Sequence, residues 1–374
     1  MEQPFFSVII PVYQAENYLR KAVDSIRMQT FESWELVLVD DGSKDRSWEI
    51  CEAYTKKDQR IFAVRQEKNQ GANAARKRGL ELIHGKYVTF MDADDYIEDI
   101  MYADIFSVLN AHPAQLTVSG AIEEYYDKNG ICSGKKAITP VCKKDKMSVY
   151  ASSSENSNGI RVQFCKEKTE CREAILSLET HTLYGYYWNK FYDTEYLKEH
   201  LAAFREQRML EDAEFNIDYA QEISSMNIVG CAYYHYCKRS EISLTSGWYQ
   251  EYYQIHRNHV ERLLHQQESW NLADEKCRRE LAAIYARYIC SALERNCEQA
   301  ANMTHKDRKE WMKQLYTDPL YDELIVYGDT ETGVMGTIID AVKSKSTFRL
   351  MAIGRAAYLA KHKLPGVFAK LRRR

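Results

Sequence analysis

Proline is scarce in this 374-residue chain, at 6, and glycine is modest, at 16, which excludes collagen-like and proline-rich low-complexity architectures. None of the ten cysteines, at 51, 132, 142, 165, 171, 231, 237, 277, 290 and 297, pairs at Cys-x-x-Cys spacing, so the common structural zinc sites are not expected. No uncharged apolar run approaches the ~20 residues needed to span a bilayer. The opening Met1-Glu2-Gln3-Pro4 has neither a basic n-region nor an apolar h-region and runs into a strand pattern, so no signal peptide is expected. Free thiols and a cytoplasmic location follow as expectations. A net charge of −3 excludes a polycation built for nucleic acid, and no nucleic-acid partner is expected. Acidic residues are missing altogether after Asp340. Lys343, Lys345, Arg349, Arg355, Lys361, Lys363, Lys370, Arg372, Arg373 and Arg374 lie beyond it, leaving residues 1–340 at −13. An acidic body therefore carries a basic tail.

With 45% hydrophobic and 28% charged residues, the composition is that of a folded chain long enough for two domains, or for one large domain with an appendage. Phe6–Val12 (FSVIIPV) is a continuous apolar run rich in β-branched residues, as for a strand covered on both faces. Asn17 is placed to cap a following helix on which Leu19, Ala22, Val23 and Ile26 form one stripe. Residues 34–39 (WELVLV) make a second strand, 45–55 a second helix and 61–64 a third strand. Residues 71–83 make a third, basic helix, and 87–91 (YVTFM) a fourth strand. Such alternation predicts an α/β fold, a doubly wound, mostly parallel sheet flanked by helices. Ligands of such sheets lie beyond the carboxyl ends of the strands. From 121 to about 182 the pattern loosens, and 152–159 (SSSENSNG) reads as a flexible loop. A helix near 213–223 and strand-like 226–229 and 232–236 follow. Beyond a boundary near Ser246-Gly247, long helical patterns (252–264, 276–297, 306–315) predict a C-terminal helical extension. There is no internal repeat.

Two acidic clusters stand at strand ends. Asp92-Ala93-Asp94 supplies hard oxygen ligands suited to Mg²⁺ or Mn²⁺ beside a diphosphate, and the same residues also fit a plain helix cap. Asp40-Asp41-Gly42-Ser43 offers acceptors for a ribose or base N–H, or forms a plain Asp-Gly turn. Gly71 opens a helix bearing Arg76, Lys77 and Arg78, which suits phosphate oxygens or a solvated basic face. Glu211-Asp212 precedes an apolar helix whose N-terminus favours an ionised carboxylate, fit for a general base or simply for the macrodipole.

Together the segments SVIIPVYQAENYL, QTFESWELVLVDDGSKD, NQGANAARKRGL and GKYVTFMDADDYI resemble, in order and spacing, the signature of glycosyltransferase family 2. The resemblance is dense over residues 5–98. It resumes at Trp188-Asn189-Lys190, at Leu210-Glu211-Asp212 with Phe215-Asn216, and at 233–245. It implies a GT-A fold over 1–246, with a nucleotide-binding half (1–98) and an acceptor half (99–246), before the helical region 247–374. It implies inverting, Mn²⁺- or Mg²⁺-dependent transfer from a nucleotide-sugar, usually UDP-linked, to a polysaccharide or lipid-linked acceptor. By position, Pro11, Tyr13 and Glu16 would line the nucleotide pocket, Asp41 would contact the uracil and Asp40 would lie beside the nucleoside. Arg76 would sit near base and diphosphate, Asp94 would bind the metal, and Asp92 would lie near the ribose. Asp212 would be the base, Trp188 and Asn189 would line the acceptor side, and Lys238 or Arg239 would close over the diphosphate. Lys77 stands where many relatives have Asn. His235 is either a third ligand or a packed ring, and Tyr186, Tyr187 and Trp188 are candidates for sugar stacking.

Three other readings compete. A nucleotidyltransferase would need a Gly-rich loop after the first strand, and residues 13–18 contain no Gly. A phosphatase would place its Asp-x-Asp after the first strand, not the fourth. A catalytically weak GT-A-like scaffold would be expected to lack Asp94 or Asp212, and both are present. The tail from residue 349 to 374 mixes apolar and basic side chains. It fits either a peripheral contact with the inner, anionic membrane face or a packed terminal helix. The extra helices offer a homodimer surface.

Overall fold

The computed structural model describes residues 3–141, 147–150, 152, 159–200, 204, 209–239, 248–331 and 333–363. The boundary expected near 246, most of the expected loop 152–159 and the tail beyond 363 lie outside them. The chain forms two compact units, residues 1–242 and 243–374.

The first unit begins with β1 (Phe6–Val12), α1 (Leu19–Arg27), β2 (Trp34–Asp40), α2 (Ser47–Lys57), β3 (Ile61–Arg65), α3 (Ala72–Leu80) and β4 (Tyr87–Phe90). It continues with β5 (Tyr96–Ile97), α4 (Met101–Ala111), β6 (Leu116–Tyr126), β7 (Cys132–Ile138), β8 (Met147–Tyr150), β9 (Ile160–Cys165) and α5 (Lys168–Thr180). It ends with β10 (Lys190–Asp193), α6 (Thr194–Glu199), α7 (Glu211–Tyr219) and β11 (Met226–Arg239). One sheet runs β3-β2-β1-β4-β10-β6-β11-β9-β8, with β5 on β11 and β7 on β6. The β3-β2-β1-β4 block is parallel, as the strand-helix alternation predicts. β10 is antiparallel to both β4 and β6, and so restores the original direction in β6 and in β11 beside it. Every residue of β2 is buried, as is all of β1 but Pro11, which explains why these strands read as unbroken apolar runs.

Three local expectations change. Asn17 is exposed and does not cap α1, whose N-cap is Tyr18 without a side-chain bond. The loosened stretch after residue 121 holds β7, β8, β9 and α5; β7 alternates exposed and half-buried residues and so lacks an apolar signal. The two strand-like pieces 226–229 and 232–236 are one strand, β11, whose register against β6 shifts between Ile228 and Ala232.

The second unit is helical: α8 (Tyr252–Ser269), α9 (Glu275–Arg295), α10 (His305–Tyr316), α11 (Pro319–Ile325), α12 (Gly333–Lys343) and α13 (Thr347–Lys363). α13 is a packed helix in its described part. Leu350 is fully buried, and a Cβ on Gly354 would stand 2.8 Å from the Leu293 carbonyl oxygen of α9. Three of its basic groups meet carboxylates of the same unit: Arg349 with Asp340 at 2.5 Å, Lys361 with Glu294 at 2.9 Å and His362 with Glu298 at 2.9 Å. Among the described residues, no helix is long and apolar enough to cross a membrane.

The turn after β2 depends on one glycine. Gly42 has φ +70°, and a Cβ there would meet the backbone of Lys68 and Asn69 at 2.9–3.0 Å. Gly42→Ala should therefore cost about 2 kcal/mol, through the left-handed backbone and the crowding together, measured by urea unfolding. Unchanged stability would mean that this turn relaxes without cost.

Candidate active site

The carboxyl ends of β1, β2 and β4 lead into residues 13–18, Asp40–Ser43 and Asp92–Asp95, at the edge where a parallel sheet leaves its crevice. Arg76 of α3 stands among groups that reach this edge from three other segments. Its Nη2 donates to Asp92 Oδ1 at 3.1 Å, and its Nη1 to Glu211 Oε1 and Asn73 Oδ1 at 3.2 Å each. The Tyr187 ring lies beneath the guanidinium at 4.6 Å. Burial works against the Arg76 charge, but Asp92, Glu211 and Asp212 outweigh it, and the pKa is raised.

Asp94 is held by Arg239. Nη1 donates to Asp94 Oδ2 and Nη2 to its carbonyl oxygen, both at 2.7 Å, with Tyr18 4.1 Å beneath the guanidinium. The Asp92 N–H donates to the Tyr234 hydroxyl, which donates to buried Asp95, and Asp95 also accepts from the Cys237 N–H. The backbone carrying both aspartates is thus tied to β11. Asp92 and Asp94 remain partly exposed, at 36% and 41% of their side chains. Each has one carboxylate oxygen in an ion pair, leaving the other to offer a divalent cation. These hard donors fit Mg²⁺ or Mn²⁺.

Asp212 lies in the first turn of α7, entered through Leu210 in the left-handed conformation at φ +58°. Its Oδ1 accepts from the Ala213 N–H at 2.9 Å. Burial pushes its carboxyl up to about 7, against the pull of Arg76 and with Glu211 adding to the rise. A carboxylate near neutrality is poised to take a proton.

On the nucleotide side, Asp41 pins residues 66–71. Its Oδ1 accepts from Gln66 Nε2 and the Gln70 N–H, and its Oδ2 from the Gly71 N–H, at 2.8–2.9 Å. Glu16 accepts from the Arg46 N–H at 3.0 Å at the start of α2, Pro11 sits on β1 opposite Val39, and Tyr13 is 45% exposed.

A model of the family described as glycosyl transferase family 2 matches residues 7–200. The chain belongs to that family. It is 44% identical over 123 residues to the glycosyltransferase GlyA of Streptococcus pneumoniae serotype 4, a match covering 33% of this chain and 17% of GlyA. It is 35% identical over 115 residues to the minor teichoic acid biosynthesis protein GgaB of Bacillus subtilis, covering 30% of this chain and 13% of GgaB. The chain thus spans a small part of the length of these relatives. Among solved structures, residues 1–349 of S. aureus TarS in complex with UDP-GlcNAc superpose with a TM-score of 0.58 at 19% identity. That match covers 94% of this chain and 90% of TarS 1–349, and the shared fold is GT-A.

Of the family positions named from the sequence, the structure brings Arg76, Asp92, Asp94, Arg239 and Asp212 together. Four others are engaged elsewhere in this structure. Asn189 is fully buried: its Nδ2 donates to the Ser119 and Leu183 carbonyls and its Oδ1 accepts from Lys190, so it does not reach an acceptor. Trp188 is 5% exposed and stacked at 4.5 Å on Tyr186 and on Tyr234, leaving Tyr186 the more open ring of that stack. Asp40 is fully buried; it accepts from the Ser43 N–H and pairs with Arg65 at 3.0 Å. Lys238 points to the other face of β11 from Arg239, as strand alternation demands, and is paired there with Glu123. His235 is the packed ring, its nitrogens 2.9 Å from Glu124 and 2.7 Å from Glu98 and its face on Tyr96. Glu211 was named beside Asp212 but not as a partner of Arg76, and Tyr234 and Arg65 were missed as site-building residues. Of those two, Arg65 had a signal, since it ends β3 directly beside Asp40 in the parallel register.

The folded state holds the Asp212 proton more tightly than the unfolded chain does. Ionisation therefore costs stability, beginning as pH rises through the ordinary carboxylate range and complete above about 7. Asp212→Asn should melt higher than wild type at pH 8, with the difference vanishing near pH 4, by calorimetry at both values. Equal midpoints at pH 8 would contradict the half-buried, proton-holding carboxyl.

Proposed function

We propose that this chain transfers a sugar from a nucleotide-sugar, a UDP-sugar by preference, onto a hydroxyl of a cell-surface glycan, with inversion at the anomeric carbon. The observation that carries this reading is Asp212, a carboxylate raised to about 7 by burial at the start of α7, beside the Arg76 cluster that holds Asp92. In one in-line displacement the acceptor oxygen bonds to the anomeric carbon as the bond to the diphosphate oxygen breaks, and Asp212 takes the acceptor's proton. A two-step route would need a second carboxylate nucleophile, and Glu211 is engaged by Arg76. Asp94, with Asp92 beside it, would hold Mn²⁺ or Mg²⁺, which supplies positive charge where the leaving diphosphate develops negative charge. Arg239, already in place beside Asp94, adds a second cation at that end. Pro11, Tyr13 and Glu16 would line the nucleoside side, with buried Asp41 behind them, and Tyr186 would meet a sugar acceptor.

The UDP preference draws on the resemblance and on the TarS complex, and the glycan acceptor on the family and on GgaB. Thermal-shift titration with UDP, GDP or CMP, each with Mn²⁺, Mg²⁺ or chelator, tests the donor. UDP with metal should raise the midpoint by mass action, and Asp94→Ala should abolish the shift. Asp212→Asn should keep the shift and lose about 10²–10⁴ in kcat with a UDP-sugar and glycan acceptor. No shift with any nucleotide would overturn the transferase reading in favour of a GT-A-like scaffold.

We further place the enzyme at the inner face of the membrane, through the basic residues beyond 363. The described part of α13 has Arg349, Lys361 and His362 in ion pairs, so deletion of 364–374 is the cleaner test than removal of the whole helix. The truncated protein should lose sedimentation with vesicles containing anionic phospholipid, each surface-near cation being worth roughly 1 kcal/mol. Equal sedimentation of both forms would refute the membrane contact.

A further inference from the structure

Lys190 is a buried cation for which the proposed chemistry has no use. It opens β10, is fully buried, and directs all three ammonium protons at neutral oxygens: the Leu183 carbonyl at 2.9 Å, the Tyr186 carbonyl at 2.5 Å and Asn189 Oδ1 at 2.9 Å. No carboxylate forms an ion pair with it among the described residues. Asp212 and Glu179 act on it only through space, and burial lowers its pKa to about 7. An ammonium buried without a direct counter-ion is costly, which calls for a compensating role.

Its three oxygens show where such a role lies. All belong to the connection 183–189, which lies against the start of α7. The Tyr186 carbonyl that accepts from Lys190 also accepts from Asn216 Nδ2 of α7 at 3.2 Å. The Tyr184 hydroxyl donates to the Asn216 carbonyl and the Tyr192 hydroxyl to Asn216 Oδ1, both at 2.8 Å. The Tyr187 hydroxyl lies 3.5 Å from the Glu211 carbonyl, and a Cβ on Gly185 would touch the Ala213 side chain at 3.4 Å. Glu211 and Ala213 flank Asp212. The chain of contacts thus runs from Lys190 through one carbonyl to Asn216, one turn along α7 from the base.

We propose that Lys190 is a positioning residue for catalysis: it clamps residues 183–189 against α7 and thereby sets where Asp212 stands, while its charge favours the ionised carboxylate. This rests on the assignment of Asp212 as the base. The charged and titratable groups around Asp212 are Arg76 of α3, Asp92 after β4, Glu211 of α7, Tyr187 of the connection, and Lys190 and Tyr192 of β10. Lys190 and Arg76 are the cations among them.

The test compares wild type, Lys190→Met and Asn216→Ala with Asp212→Asn as control, reading UDP affinity with Mn²⁺, donor KM, kcat and the pH profile of kcat. Lys190→Met should lose about tenfold or more in kcat, as misplacement of a reacting group does. UDP affinity and donor KM should stay within about twofold. The acidic limb of its profile should move to higher pH, because a cation that favours the ionised base is gone. Asn216→Ala should reproduce the loss in kcat without moving the limb, since it cuts the link and keeps the charge. A folded Lys190→Met enzyme with wild-type kcat and limb overturns the proposal, as does a parallel loss of UDP affinity, which would place Lys190 on the donor side. If Lys190→Met does not fold, a folded Asn216→Ala enzyme with wild-type kcat overturns it. Full activity in Asp212→Asn would instead sink the assignment of the base, and so separates the two failures.

Discussion

A buried guanidinium among carboxylates is the interaction on which the candidate site at the carboxyl end of the sheet depends. Arg76 belongs to α3, between β3 and β4, yet its partners come from the end of β4 and the start of α7, 16 and 135 residues further along the chain. Asp92 and Glu211 would repel one another across the crevice without it, and Asp212 would lose a nearby cation. Planar, forked geometry lets one residue serve two carboxylates and an amide at once, with its face on Tyr187. A lysine at that position could not reproduce the arrangement.

Sheet direction determines why the site forms there. Strands β1, β2 and β4 are parallel, so their carboxyl ends share one edge. Asp92–Asp95 lies at that edge, and Arg239, at the far end of β11, reaches back to Asp94. β11 does so because β10, antiparallel on both sides, returns β6 and β11 to the direction of β1. An acidic turn from one half of the unit and a basic strand end from the other thereby meet without either being adjacent in sequence.

The parallel block was legible from the chain because its strands are buried on both faces, which leaves uninterrupted runs such as Phe6–Val12 and Trp34–Asp40. The strands of the other half were legible only in part: β7, half in solvent, left no apolar signal, and β11, which changes register midway, read as two pieces. The site divides in the same way. Residues set by strand ends and helix starts (Asp92, Asp94, Arg76, Asp212) could be named from the sequence and its resemblance. Residues whose role depends on which way a side chain turns could not. Strand alternation alone separates Arg239 from Lys238, and the turn into β10 sends Asn189 into the interior. In the second unit, a run of basic residues says nothing of its neutralising partners, and Glu294, Glu298 and Asp340 lie on other elements.

Two buried cations act on Asp212, and they differ in kind. Arg76 is matched by direct carboxylate partners, so most of its field at Asp212 is offset by Asp92 and Glu211. Lys190 touches only neutral oxygens, and its charge is not offset at contact distance. Burial would drive an isolated carboxyl further from its ordinary value, and full ion pairing would drive it far below. A carboxyl that ionises near neutrality requires an intermediate balance. One neutralised cation nearby and one bare cation further off, behind a hydrogen-bonded connection, supply it. The cost is borne by the folded state, which keeps a lysine and an aspartate whose charged forms burial disfavours.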